Sequence, residues 1–460
     1  MSDQKSSERE PASRQSEEVE TKTLASLSPS GRRRILAAVS LGWLFSAVDI
    51  VLLILFQEEI AQTLSLPIQT IRITIGVGLL GSALGGLLFA PLGDRIGRVK
   101  ALALSVLLYS IATGAMGFAK GAGTLMGLRL LAGVGTGGEW SIGFALLTEV
   151  WDRRKRGLVG GLVAGMFNLG TFLAIGLYQL AESWQVAFWL MSCPALFAAI
   201  LRRFTPESPT WLALDAARRT EGGLPEALKT KLLRPPLREA FSVEWRRLTL
   251  FVTLLFALMN FAFYSFSTIF INYLQGAVES GGLALSREAQ LPYQVALNLS
   301  ALLSAVGAGL LSDRWGRRGA FVAFSFFGCA SFAALALGLW GGWATPGPRL
   351  LILFGLCCVG FGINSVMGIY VPELYPTHLR STGPGLCQNL GKGIGGMSGP
   401  PLAGLLVASQ GYSVTLATPL IFFALLLLLA RRLPEVGGRK LSPVEGRGHL
   451  ESDSASTAGS

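Results

Sequence analysis

GDRIGRVK, residues 93–100, returns as SDRWGRRG at residues 312–319, so Asp94, Arg95, Gly97 and Arg98 are matched by Asp313, Arg314, Gly316 and Arg317. A second pair follows at nearly the same shift. TEVWDRRKRG places Glu149 seven residues before Arg156, and PELYPTHLRSTG places Glu373 seven before Arg380. The offsets are 219 and 224 residues. Two independent motifs at one shift, after the second and fourth apolar runs of each half, indicate a duplicated chain. Halves repeated in this way enclose a site near the bilayer midplane and rock around it.

The runs around these motifs set the fold class. Of 460 residues, 51% are hydrophobic and only 15% charged, where a soluble domain carries about 25% charged residues. Runs long enough to cross about 30 Å of hydrocarbon as helix occupy residues 35–57, 71–92, 99–119, 124–148, 157–180 and 184–203 of the first half. The second half contributes 248–274, 292–312, 319–340, 349–371, 384–408 and 412–432. The expected fold is therefore an all-α integral membrane protein with twelve transmembrane helices in two six-helix pseudo-repeats. Residues 35–203 form the N-terminal bundle and 248–432 the C-terminal one, joined by a cytoplasmic linker at 204–247. The polar ends, 1–34 and 433–460, read as disordered cytoplasmic tails. No cleavable leader is expected, since the first tail holds no apolar stretch.

The net charge of +11 is an orientation signal and not a nucleic-acid face, because the positives fall in alternate loops. Arg32 to Arg34, Arg95 to Lys100, Arg153 to Arg156, Arg314 to Arg318, Arg380 and Arg431-Arg432 share one side. The other side holds mainly Glu58, Glu59, Lys120, Glu182, Glu279, Arg287 and Glu288. That contrast places both termini in the cytoplasm of a cell whose inner or plasma membrane the chain spans. The five cysteines lack metal-ligand spacing, and His378 and His449 stand alone. Neither a metal, nor a cofactor, nor an enzyme active site is expected.

One stretch points elsewhere. GVGTGGEW, residues 133–140, has the Gly-x-Gly-x-x-Gly spacing of a dinucleotide turn. Such a turn needs a preceding strand and an open helix N-terminus. Here it lies deep inside an apolar helix, so the glycines are read as close-packing residues.

The motifs together resemble the major facilitator superfamily. The Asp-Arg-x-Gly-Arg loops, Arg129-x-x-x-Gly133-x-Gly135 and the repeated Glu/Arg pairs cover most of the chain. PESPTWL, residues 206–212, is similar to the sugar-porter boundary, while Gly138-Glu139-Trp140 and PELYPTHLRSTG resemble the sialate and aromatic-acid proton symporters. Ala90 and Asp152 depart from the family's glycine and proline at those places, and Ser46 with Asp49 stands where organic-acid symporters often carry two aspartates. The resemblance implies a secondary active transporter of a small organic acid or sugar-like solute, working as a monomer and coupled to protons. It also implies that Asp94, Arg95, Arg98, Glu149 and Arg156, with Asp313, Arg314, Arg317, Glu373 and Arg380, form a cytoplasmic network that closes the inner side. The acidic members support that role, since orientation alone has no use for them.

Ionisable groups inside spans cost roughly 2.5–3.5 kcal/mol each on insertion scales, so each needs a reason. Asp49 lies just past the middle of the first span, and Arg129 about a turn and a half into the fourth, so the two can meet. By resemblance to proton-coupled sugar porters, Asp49 is the proton site and Arg129 its partner; a static ion pair is the alternative. Glu139, ten residues deeper on the fourth span, can take a proton, meet a cationic group or bond to another helix. Lys392 can attract an anionic substrate or snorkel to the cytoplasmic surface, which its position favours. Asn168, Asn260, Tyr264, Asn364, Gln388 and Asn389 are candidate substrate ligands, with interhelical hydrogen bonding, common between spans, the favoured alternative. Two other functions stay open. A proton-coupled efflux pump is weakened because GLVAGMFNLGTFLAIG, on the fifth span, lacks the proline of the drug-antiporter motif. A solute sensor would need a longer structured tail.

Overall fold

The computed structural model describes residues 27–152, 155–219, 236–276 and 278–436. The outer parts of both expected tails and the middle of the linker lie outside the described residues. Among the described residues helix follows helix without a strand. The first five spans are Pro29–Leu55, Ile68–Ile96, Arg98–Met116, Ala122–Val150 and Arg156–Leu180. The sixth is broken into Trp184–Leu190 and Cys193–Phe204. Spans seven to nine are Arg246–Gln275, Arg287–Trp315 and Arg317–Trp340, and the tenth is Pro348–Gly360 with Ile363–Glu373. The eleventh opens as Thr382–Gly391, passes through a π-helical turn at Lys392–Gly396 and enters Met397–Ala417. The backbone of that last helix is broken at Gly411, φ 79°, and the twelfth span runs from there through Pro419–Leu429. Leu88, Ile111, Leu303 and Phe326 lie on the outer surface, where hydrocarbon and not water is their solvent.

The structure revises the expected boundaries. The helix of the first span begins at Pro29 and not at residue 35, because the Ser28 hydroxyl accepts from the Gly31 amide at 3.1 Å and proline suits the first helical position. The described residues of the linker include two helices, Pro209–Arg219 and Pro236–Ala240. The second tail is ordered at its start, where Leu433 and Val436 are buried. Both repeated loops turn on a left-handed glycine, Gly97 at φ 112° and Gly316 at φ 77°, a conformation that only glycine adopts freely.

GVGTGGEW explains how the fourth span reaches the second. A Cβ on Gly133 would lie 2.2 Å from the Gly78 carbonyl oxygen, and one on Gly137 2.0 Å from that of Ser82. With no hydrophobic effect between helices in lipid, such close approach is a main source of association. Gly137→Ala should therefore lower the thermal midpoint of the detergent-solubilised chain, corresponding to about 1–3 kcal/mol of overpacking. Gly127→Ala on the same helix, where a Cβ meets nothing within 4 Å, should leave the midpoint unchanged.

Candidate functional site

At the arginine-rich face the two halves lock together symmetrically. Asp94, ending the second span, accepts from the amides of Ser381 (3.3 Å) and Thr382 (2.8 Å) and from the Thr382 hydroxyl (2.5 Å). Its counterpart Asp313 accepts from the amides of Gly157 and Leu158, each at 2.8 Å. Each aspartate thus caps a helix of the opposite half, the eleventh and the fifth span, where free amides and the helix dipole favour an anion.

The arginines tie these caps to the glutamates. Arg98 pairs with Asp94 at 2.8 Å and Glu149 at 3.0 Å, and Arg317 with Asp313 at 2.8 Å and Glu373 at 3.0 Å. Across the halves, Arg380 stands 3.6 Å from Glu149 and Arg156 3.6 Å from Glu373. All four arginines are buried. Arg380, in the loop between spans ten and eleven, is pushed down to about 10, first by burial and then by Arg156 and Arg98, with Glu149 and Asp94 opposing. Arg95 and Arg314 do not join: both side chains are exposed on the outer side of their loops.

Two residues outside the expected network complete it. Glu207 of PESPTWL accepts from the amides of Arg98 (2.9 Å) and Val99 (3.1 Å). Glu435 accepts from those of Arg317 (3.0 Å) and Arg318 (3.1 Å). Each carboxylate caps the helix that follows a left-handed glycine, the third and ninth spans. Burial pushes the Glu207 carboxyl up, against the pull of those amides and of Arg98. The signal was present in the sequence: Pro206-Glu207 recurs as Pro434-Glu435 at an offset of 228 residues.

Above this lock the halves still touch. Asn389 of the eleventh span donates to the Gly137 carbonyl of the fourth at 3.0 Å. Trp140 meets Phe256 of the seventh span edge to face, with ring centroids 5.5 Å apart.

Further from the basic face, the first, third and fourth spans enclose a polar cluster. Arg129 donates to Asp49 Oδ2 at 2.9 Å, and Thr113 to Asp49 Oδ1 at 2.5 Å. Asp49, Thr113 and Arg129 are all buried. Glu139 packs against Gly42 of the first span with Ser46 as its polar neighbour, and neither carboxyl oxygen has a well-formed hydrogen bond. Thr113 was not legible beforehand, since a threonine in an apolar run carries no distinguishing signal.

The C-terminal half faces this cluster with Lys392. Its Nζ donates to Ser82 of the second span at 3.2 Å, so it crosses between the halves and does not snorkel to the surface. The π-helical turn that carries it lies just before Pro400 and Pro401. These prolines supply no amide to the preceding turn, where extra-residue turns are tolerated. Lys392 and Tyr264, which packs on Gly396 of that turn, both lie within electrostatic reach of Arg129. The remaining candidates divide. Asn260 bonds to Phe256 of its own helix at 2.7 Å, Asn389 bridges the halves, and Asn168 is half-buried on the fifth span. The side-chain oxygens of Asn364 and Gln388 are buried without a partner.

Known proteins resemble this chain over most of its length. A sequence model described as Major Facilitator Superfamily matches residues 36–391 and 296–456. The chain is similar to the niacin transporter of Acinetobacter baylyi, 25% identical over 89% of this chain and 95% of that protein. It is also similar to the gentisate transporter of Corynebacterium glutamicum, 28% identical over 86% of each. Among solved structures it superimposes on the proton:xylose symporter XylE with a TM-score of 0.70 at 18% identity, covering 93% of this chain and 99% of that one.

Proposed function

Since the chain belongs to the Major Facilitator Superfamily and is a membrane transporter, we propose that it imports a small organic acid by proton symport, through alternating access of its two halves. The observation that carries this reading is the buried Asp49–Arg129 pair, 2.9 Å apart, with Lys392 reaching toward it from the other half. A buried carboxylate that loses its arginine is left as an uncompensated charge, which a proton neutralises. A substrate carboxylate settling between Arg129 and Lys392 would draw the arginine away, so binding of substrate and of proton reinforce each other. Similarity to carriers named for niacin and gentisate, both carboxylic acids, supports that substrate class.

In this reading the arginine-rich face and both termini are cytoplasmic. The closed lock on that face makes the described state one with its inner side shut. Rocking into the opposite state breaks the two cross-half ion pairs and uncaps the fifth and eleventh spans together, which gives the equilibrium two discrete arrangements to choose between.

The test is uptake of labelled nicotinate, gentisate and xylose into proteoliposomes, with and without an imposed inward proton gradient. Gradient-driven accumulation of one of the two acids is expected. Accumulation of xylose alone would overturn the substrate class, gradient-independent uptake would overturn symport, and gradient-driven extrusion would replace import with efflux.

A further inference from the structure

Inside the N-terminal half, buried hydroxyls lie between Asp49 and Glu139, and depth runs in the same order on three spans. On the third, Thr113 stands beside Asp49 and Tyr109 lies one turn closer to the basic face. On the fourth, Arg129 stands beside Asp49 and Glu139 lies ten residues deeper, with Gly135 between them bearing on Tyr109. A Cβ on Gly135 would come within 2.5 Å of the Tyr109 amide nitrogen and 2.6 Å of its Cβ. On the first, Ser46 lies one turn below Asp49, and Gly42, against which Glu139 packs, lies one turn further.

The Tyr109 hydroxyl is buried without a well-formed hydrogen bond, with the Ser110 hydroxyl as its polar neighbour. The adjacent Ser110 hydroxyl is used on the Val106 carbonyl at 2.7 Å. Glu139 and Asp49 are the carboxyls whose charge reaches the phenol, and Phe45 of the first span and Phe197 of the sixth pack against Val106 and Tyr109. Arg129, and Lys392 from the eleventh span, are the cations at the Asp49 end. A buried phenol and a buried carboxyl, neither with a well-formed hydrogen bond and set in sequence along one column, are costly features for packing alone.

We propose that Tyr109 relays the proton between Asp49 and Glu139, so that protons travel inside the N-terminal half while the substrate travels between the halves. This rests on the proton-symport reading above. In the step, protonated Asp49 passes its proton to the Thr113 hydroxyl, whose own proton moves to the phenol oxygen, while the phenol's proton moves to the Glu139 carboxylate. Only O–H bonds are made and broken, and the phenol is regenerated.

The experiment uses the full chain in proteoliposomes, with nicotinate or gentisate, whichever the wild type accumulates, as probe. Tyr109→Phe should keep counterflow exchange, which moves no net proton, within about twofold of wild type. Its initial rate of gradient-driven uptake should fall at least tenfold. Should Tyr109→Phe lose counterflow as well, Thr113→Ser against Thr113→Val decides: the relay requires that serine keep gradient-driven uptake and that valine lose it with counterflow intact. Wild-type gradient-driven uptake in Tyr109→Phe overturns the relay and leaves symport standing. A wild-type chain without gradient dependence overturns symport itself, and the relay with it.

Discussion

Asp49→Asn should abolish uphill accumulation, reducing the internal-to-external ratio of the transported acid to one, while exchange of labelled for unlabelled acid continues. With one proton carried per cycle, a pH difference of one unit supports about a tenfold ratio, since each unit is worth about 1.4 kcal/mol. Asparagine fills the same space and still accepts from the Thr113 hydroxyl, but it neither ionises nor takes up the coupled proton. Arg129 then stands in the bundle without its counter-ion. Removing one member of a buried pair costs about 3–5 kcal/mol, of which the retained hydrogen bonds recover a part. Because exchange needs substrate binding and rocking but no net proton transfer, it separates lost coupling from lost folding. Accumulation that survives in Asp49→Asn would show that the proton binds elsewhere.

Glu149→Gln should open the arginine-rich face. Glu149 is the carboxylate shared by Arg98 at 3.0 Å within its own half and Arg380 at 3.6 Å across the interface. Arg98 keeps Asp94 and the Gly93 carbonyl after the change. Arg380 keeps much less, since burial and the neighbouring Arg156 and Arg98 already bear against its charge. The penalty falls on the closed state, because opening returns Arg380 to water. A bias of about 1.4 kcal/mol is a tenfold change in population, and a buried charge left unpaired exceeds that. The readout is a cysteine introduced at Ser141, in a chain whose five native cysteines are serine. Ser141 is buried at the interface, where a Cβ on Gly385 would lie 2.7 Å from its Oγ. Its labelling by a hydrophilic maleimide should rise more than tenfold in Glu149→Gln. Unchanged labelling would mean that the helix caps of Asp94 and Asp313 hold the face shut unaided.

Much of this machinery is legible in the chain as written. Asp49 and Arg129 stand out because an apolar run has no cheap place for a charge. The lock residues stand out because they are repeated. Thr113, Tyr109 and Ser82 do not, since hydroxyls are ordinary in transmembrane helices and bond readily to their own backbone. Tyr109 acquires meaning only when Gly135 brings the third span against the fourth, between Arg129 and Glu139.

By itself the sequence determined the twelve apolar spans, the duplication and the segregation of arginine to one face, because these follow from length, period and composition along the chain. The partner of each charge was decided by tertiary structure. Glu149 and Arg156, seven residues apart in TEVWDRRKRG, turn to different partners, Glu149 to Arg380 and Arg156 to Glu373. That choice depends on how far each helix is rotated against its neighbours. Backbone-to-backbone contacts at residues such as Gly133 and Gly137 set the rotation, and the twofold relation of the halves then brings residues more than two hundred positions apart into contact.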